Sequence, residues 1–249
     1  MRRLNSVMLA AVAVISVGMF CWPLLIGSAN AAQSSLAQTL FLLLMPLLLV
    51  LVIAEVGSGH LNSRQIAVLG VLIALNSVIR MLGAGTAGIE TAFFLIIIAG
   101  YAMGPGFGYL MGTGSLLVSG LITGGVGPWL PFQMMAAGLL GFIAGTLPKT
   151  THRWLRLTLL TATAILGSYL YGGLMTMWNW PFLAGVGTSI SYLPGATLLL
   201  NLQHFFAFEV VTGGLLWDTG RAVTTTVLIW LTAPALLATL ERASRRAGN

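Results

Sequence analysis

The chain has 249 residues, of which 57% are apolar and only 6% are charged, with a mean hydropathy of +0.97. A soluble domain carries about a quarter charged residues, so the 11 basic and 5 acidic side chains here are too few to cover a water-facing surface. The apolar runs are continuous rather than alternating, which indicates spanning helices and not a membrane β-barrel. The composition therefore predicts an all-α integral membrane protein.

The net charge of +6 and the single cysteine exclude several classes of protein. We interpret the basic residues as markers of the cytoplasmic ends of spans rather than as a nucleic-acid interface. One cysteine, Cys21, excludes a disulfide framework and a thiolate metal site. Lys149, the only lysine, follows no phosphate-binding loop. Energy for any transport must therefore come from a gradient or from another chain.

A helix that crosses the hydrocarbon needs about 20 apolar residues. The hydropathy pattern predicts eight spans, at residues 5–27, 37–55, 64–82, 89–103, 107–124, 131–148, 157–175 and 219–240. A ninth apolar stretch, 196–215, contains polar side chains, and we expect it to be a helix that docks from outside. With eight spans, more of the basic residues fall on the cytoplasmic side than with nine, as the positive-inside rule requires.

The pattern divides the chain into two units. Residues 1–60 are predicted to form two N-terminal transmembrane helices of unknown role. The first of them imitates a secretory signal, so its removal is an open alternative. Residues 61–249 are predicted to form a six-helix core with a long outer loop at about 177–217.

Ionisable side chains gather at the predicted outer end of the core. Such groups near lipid are retained mostly where they pair or face a cavity, so we expect an outward-facing polar pocket. The alternative interpretation is that Arg80 merely pairs with Glu90, and Asp218 with Arg221 three residues later on one helix face.

Two outer connections add aromatic and amide groups to this end, the loop from Gly124 to Gln133 and the predicted outer loop at about 177–217. The loop from Gly124 to Gln133 is rich in glycine and proline, which permit close backbone approach. The candidate substrate-binding residues are Arg80, Glu90, Gly125, Trp129, Gln133, Trp180, Asn201, His204, Asp218 and Arg221. This mixture suits an uncharged or weakly charged organic molecule with a ring system. It does not suit a metal ion, because the histidine and carboxylates lack ligand-like spacing. No residue is assigned a catalytic or metal-binding role.

Several motifs in order carry a resemblance to a known family. They are a small-residue third span, Glu90-Thr91-Ala92-Phe93-Phe94, the glycine-rich turn at 104–108, the 124–133 loop, and Trp217-Asp218-Thr219-Gly220-Arg221-Ala222. Residues 64–246 resemble the substrate-binding S component of an energy-coupling factor (ECF) transporter, a vitamin uptake system of prokaryotes. The two extra N-terminal spans depart from the usual six-helix core.

The resemblance implies a binding subunit rather than an enzyme, in the prokaryotic plasma membrane with both termini cytoplasmic. Its partners would be a transmembrane coupling (T) protein and two ABC-type ATPases, and no nucleic acid. Small residues Ala67, Gly70 and Ala74 would contact the coupling subunit. No cofactor is expected. The ligand would be a vitamin, with cobalamin as the first expectation because of the extended aromatic loops.

Two other classes of protein stay open at this point. A solitary gradient-driven permease would need an intramembrane carboxylate, for which Glu90 and Glu209 are the candidates. An intramembrane hydrolase would need Ser115 or Ser119 to pair with His204.

The charge distribution makes a direct prediction about topology. A reporter fused after Asn249 is expected to be active only if it functions in the cytoplasm, because eight spans return the chain to the side where it began. Paired fusions to a cytoplasmic and an extracytoplasmic reporter measure this. An extracytoplasmic C-terminus would contradict the eight-span topology.

Overall fold

The computed structural model describes residues 61–83, 88–184 and 187–247, together with 17–25 and positions 14, 39, 43 and 47. Its helices are α1 (Trp22–Leu25), α2 (Ser63–Gly83), α3 (Phe93–Met103), α4 (Pro105–Thr123), α5 (Leu130–Thr146), α6 (Arg153–Leu183), α7 (Leu198–Val211) and α8 (Gly214–Ala247). The described residues contain no strand. Most of the two predicted N-terminal spans lies outside the described residues.

Four of the helices are long and apolar enough to cross a membrane. They are α2, α4, α6 and the part of α8 from Gly214 to Ala243, while α3, α5 and α7 are shorter apolar helices. The predicted all-α membrane fold is confirmed. Every span predicted between residues 64 and 240 coincides with one of these helices.

The segment at 177–217 is mostly helical: a helix lies where one was expected at 196–215, and α6 and α8 extend further into the segment than expected. α6 continues to Leu183, α7 spans Leu198–Val211, and α8 already begins at Gly214. Tertiary packing extends α6: Trp178 is buried and stacks on Phe132 of α5, with ring centroids 4.2 Å apart. Trp178 is therefore a core residue. Between α6 and α7, the described residues 184 and 187–197 form a non-helical link.

The centre of the bundle is α3. Its residues from Phe93 to Tyr101 are all buried, and it packs against α4, α5, α6 and α8. A helix that is apolar on all sides belongs in the interior of a bundle, and the sequence Phe93-Phe94-Leu95-Ile96-Ile97-Ile98 meets that condition.

Glycines let α3, α4 and α5 approach at backbone distance. A Cβ atom added to Gly141 of α5 would overlap the carbonyl group of Gly108 in α4, and one added to Gly112 would overlap that of Ala137. Gly100 of α3 meets the Gly141 carbonyl in the same way. In lipid, where helix association relies on close packing, small residues at such crossings bring the helices together.

α2 lies at the edge of the bundle and packs mainly on α4. The Ser77 hydroxyl, which is buried, donates to the carbonyl of Ser115 at 3.2 Å. Ala67, Gly70 and Ala74 are exposed on α2. This small-residue face is therefore not consumed by packing within the described part of the chain.

The backbone contact at Gly141 generates a stability prediction. Gly141→Ala is expected to destabilise the protein by about 1–3 kcal/mol, because the new methyl group forces α4 and α5 apart. Unfolding monitored by circular dichroism in mixed micelles measures this.

The matched control is Gly173→Ala in α6, where a new Cβ meets no described atom within 4 Å. That change is expected to be neutral or to stabilise by up to about 1 kcal/mol, since alanine favours a helix over glycine. Equal stability of the two variants would contradict the packing described for α4 and α5.

Candidate functional site

A polar cavity lies where the end of α2 meets the beginnings of α3, α5 and α8. Its volume is about 180 Å³, and its lining residues are Arg80, Ile89, Glu90, Gln133, Tyr171, Trp217 and Arg221. Four of these were predicted from sequence to bind substrate: Arg80, Glu90, Gln133 and Arg221. The structure therefore brings together residues that are up to 141 positions apart, from Arg80 to Arg221, at the predicted outer end.

Arg80 reaches the cavity from the last turn of α2. One terminal nitrogen, Nη1, donates to the hydroxyl of Ser119 on α4 at 2.9 Å. The Nε atom is buried and has no hydrogen-bond partner among the described residues. Arg80 thus keeps hydrogen-bonding capacity that the protein does not use.

Arg221 is neutralised locally by Asp218. The two side chains form an ion pair three residues apart on α8, and both are largely buried. Gly172 of α6 makes room for the pair, because a side chain there would overlap the Asp218 carboxylate. The Arg221 guanidinium also lies 5.0 Å from the ring centroid of Tyr171, a cation–π distance. One half of the pairing interpretation is therefore confirmed.

Glu90 binds the backbone at the beginning of α3. Its Oε1 atom accepts a hydrogen bond from the backbone N–H of Ala92 at 3.1 Å, immediately before α3. A carboxylate at a helix N-terminus satisfies a free N–H and meets a favourable dipole. Asp218–Arg221 and Arg156–Glu241 are ion pairs in the described part of the chain. The pair between Arg80 and Glu90 is not formed.

The 124–133 loop contributes only Gln133 to the lining of this cavity. Gln133 lies in the first turn of α5. Trp129 instead donates from its indole nitrogen to the carbonyl of Gly125 at 3.2 Å, and its side chain is 46% exposed. Trp129 and Gly125 thus lie together at the surface, outside the cavity.

Trp180, Asn201 and His204 hold the link between α6 and α7 rather than lining the cavity. The Trp180 indole donates to the carbonyl of Ile190 at 2.9 Å, while His204 Nδ1 lies 2.9 Å from the carbonyl oxygen of Ser191. Asn201 accepts from the N–H of Leu193 at 2.9 Å and donates to its carbonyl at 3.0 Å. These side chains replace the backbone partners that a non-helical segment lacks.

The residues predicted from sequence leave out three lining residues, Ile89, Tyr171 and Trp217. Tyr171 is buried within α6 and packs edge-on against Phe93, with ring centroids 4.8 Å apart. A usable signal was the glycine pair Gly172-Gly173 directly after it, which opens space beside an apolar span. Trp217 directly precedes Asp218, which was itself predicted to bind substrate, so its place in the sequence was a usable signal.

The serine–histidine arrangement of a hydrolase is not formed. His204 contacts the Ser191 carbonyl, whereas Ser119 accepts from Arg80. Ser115 is buried and lies 4.0 Å from the sulfur of Met111. A nucleophile needs its base within hydrogen-bond reach, and neither serine has that contact with His204.

A second, larger cavity lies at the opposite end of the bundle. Its volume is about 330 Å³, and Tyr101, Lys149, Arg156 and Glu241 are among its lining residues. Lys149 donates to the Tyr101 carbonyl and lies over the Tyr101 ring. Burial lowers the pKa of Lys149, and the nearby Glu241 carboxylate partly offsets that change. These contacts lie at the predicted cytoplasmic end.

The fold and the first cavity define a helical membrane protein with a small charged site at one end of its bundle. The model of the family described as ECF transporter, substrate-specific component, matches residues 64–240. The chain belongs to this family, whose members are substrate-binding subunits of a transporter rather than enzymes. No curated protein and no solved structure matched the chain.

The contacts of Asn201 generate a prediction about the link. Asn201→Ala is expected to destabilise the closed link by about 1–3 kcal/mol, because it leaves the N–H and carbonyl of Leu193 without partners. Limited proteolysis should cut residues 184–197 several-fold faster, since cleavage follows the population of the open form. Gln203→Ala, an exposed position two residues further along α7, is the control and should change nothing. Unaltered cleavage in Asn201→Ala would contradict the role given to this amide.

Proposed function

We propose that the chain captures a vitamin-like small molecule at the outer face of a prokaryotic plasma membrane and delivers it inward. It does so with a transmembrane coupling protein and two ABC-type ATPases on separate chains, and both of its termini lie in the cytoplasm. The observation that carries the proposal is the 180 Å³ cavity, which unites Arg80, Glu90, Gln133 and Arg221 at one end of a membrane bundle of this family.

The size of the cavity bears on the choice of substrate. Drug-sized ligands fill about 300–1,000 Å³, and the cavity is smaller than that range. Cobalamin was expected because residues 177–217 resembled extended aromatic loops, but that segment is mostly helical. Both observations favour a ligand much smaller than cobalamin.

The exposed small-residue face of α2 supports the proposed contact with the coupling protein. A Cβ at Gly70 would meet no atom within 4 Å in the described part of the chain. Exposed apolar side chains, including Val71 and Val78, lie on the same helix. Close approach of a second helix in lipid needs such a face.

A buried carboxylate supports a second candidate, a solitary gradient-driven permease. Glu209 of α7 is 3% exposed, and neither of its carboxylate oxygens has a hydrogen-bond partner among the described residues. Intramembrane acids of this kind serve as proton or cation sites in carriers. This candidate expects uptake by the chain alone that collapses with an uncoupler while ATP is held constant. The main proposal expects uptake to require the ATPases.

The α2 face generates the test of the main proposal. Gly70→Leu is expected to reduce recovery of the coupling protein and the two ATPases at least about tenfold in a tagged pull-down from mild detergent. A leucine side chain prevents the close helix approach on which the contact depends.

Gly173→Leu is the matched control, because it makes the same substitution at a helical glycine with open space on α6. It should leave the recovered complex intact. Recovery of the wild-type chain without any ATPase would contradict the proposed function. Equal recovery with Gly70→Leu would contradict the contact at α2.

A further inference from the structure

We infer that the cavity takes a small dipolar ligand, whose carboxylate binds Arg80 and whose N–H or O–H donor faces Glu90. The inference rests on the proposed function and names the class of substrate for the same site. It follows from how the protein uses the three charged residues that line the cavity, which are Arg80, Glu90 and Arg221.

Arg80 is the cation that lacks an acidic partner. Its contact with Ser119 is to a neutral hydroxyl, and no ion pair joins Arg80 to an acidic side chain among the described residues. Placing a guanidinium near lipid without a counter-ion is costly. Arg221 differs from Arg80 in this respect, because Asp218 of its own helix neutralises it. A ligand carboxylate would supply the missing partner, and its two oxygens match the planar fork of the guanidinium.

Glu90 determines the second group that the ligand must carry, which is a hydrogen-bond donor. It lines the same cavity as Arg80, yet the two side chains do not form an ion pair. One oxygen of Glu90 already accepts from Ala92, which fixes the carboxylate at the start of α3. A carboxylate accepts several hydrogen bonds, so Glu90 retains capacity for a donor on the ligand. The cavity therefore presents separated positive and negative groups.

The remaining lining residues favour a flat ring between these two groups. Tyr171 and Trp217 contribute aromatic surface to the lining, and Ile89 adds apolar surface. Gln133 offers an amide that can both donate and accept. A purely cationic ligand would face repulsion from Arg80, while a phosphate dianion would face repulsion from Glu90. One carboxylate with an opposing neutral donor satisfies both side chains.

The test uses planar acids and their uncharged carboxamides as probes. The purified full-length chain in detergent is titrated calorimetrically with 4-aminobenzoate, 4-aminobenzamide and benzoate, and with nicotinate and nicotinamide. We expect 4-aminobenzoate to bind about tenfold or more tightly than 4-aminobenzamide, and nicotinate to exceed nicotinamide by a similar factor. In both amides the charge-assisted pair with Arg80 is lost. We expect 4-aminobenzoate to bind more tightly than benzoate, because only the former offers a donor to Glu90.

Two variants assign these preferences to the named side chains. Arg80→Gln should abolish the preference for acid over amide, and Arg80→Lys should keep the preference at reduced affinity. Glu90→Gln should reduce the preference for 4-aminobenzoate over benzoate. Arg242→Gln removes an exposed cation near the other end of α8 and should alter none of these values.

The outcomes separate this inference from the proposed function. Equal or tighter binding of the amides, or no binding of any acid, would overturn the dipolar ligand. If the wild-type chain still recruits the coupling protein and ATPases, the proposed function stands without it. Acid binding that survives Arg80→Gln would overturn the assignment to Arg80.

Discussion

Direct backbone contact among α3, α4 and α5 is the constraint on which the rest of the structure depends. Gly108 and Gly141 have no side chains, so α4 and α5 meet at their main chains, and Gly100 of α3 joins the same crossing. This contact allows the short α3 to be buried along most of its length. It also sets the level at which α3 and α5 begin, and therefore the position of Glu90 and Gln133 in the cavity.

The cavity depends on a second use of glycine, which is to make room for charge. Gly172 leaves space for the Asp218 carboxylate, so that Asp218 and Arg221 can pair inside a membrane bundle. Burying a pair of opposite charges costs far less than burying either one alone. With Arg221 neutralised, Arg80 is the arginine in the cavity wall that has no ion pair among the described residues.

The sequence predicted the helices well because hydropathy reports directly on transfer into lipid. It also found four lining residues, since ionisable groups are so rare in this chain that their clustering carries information. It could not place Trp180, Asn201 or His204, because aromatic and polar residues near a membrane surface look alike whether they bind a ligand or secure a link. Tyr171 was missed for a related reason: hydropathy does not tell which way a side chain of a buried span points.

One helix joins the two surfaces that the proposed function requires. α2 carries the exposed small residues Gly70 and Ala74 along its length and Arg80 in its last turn. It lies at the edge of the bundle, with most of its contacts to α4. Any displacement of α2 against α4 therefore changes the contact between Arg80 and Ser119 and the separation of Arg80 from Glu90. Under the proposed function, a partner on the small-residue face would act on the same helix that positions Arg80 in the cavity, so partner binding and ligand binding would share one structural element.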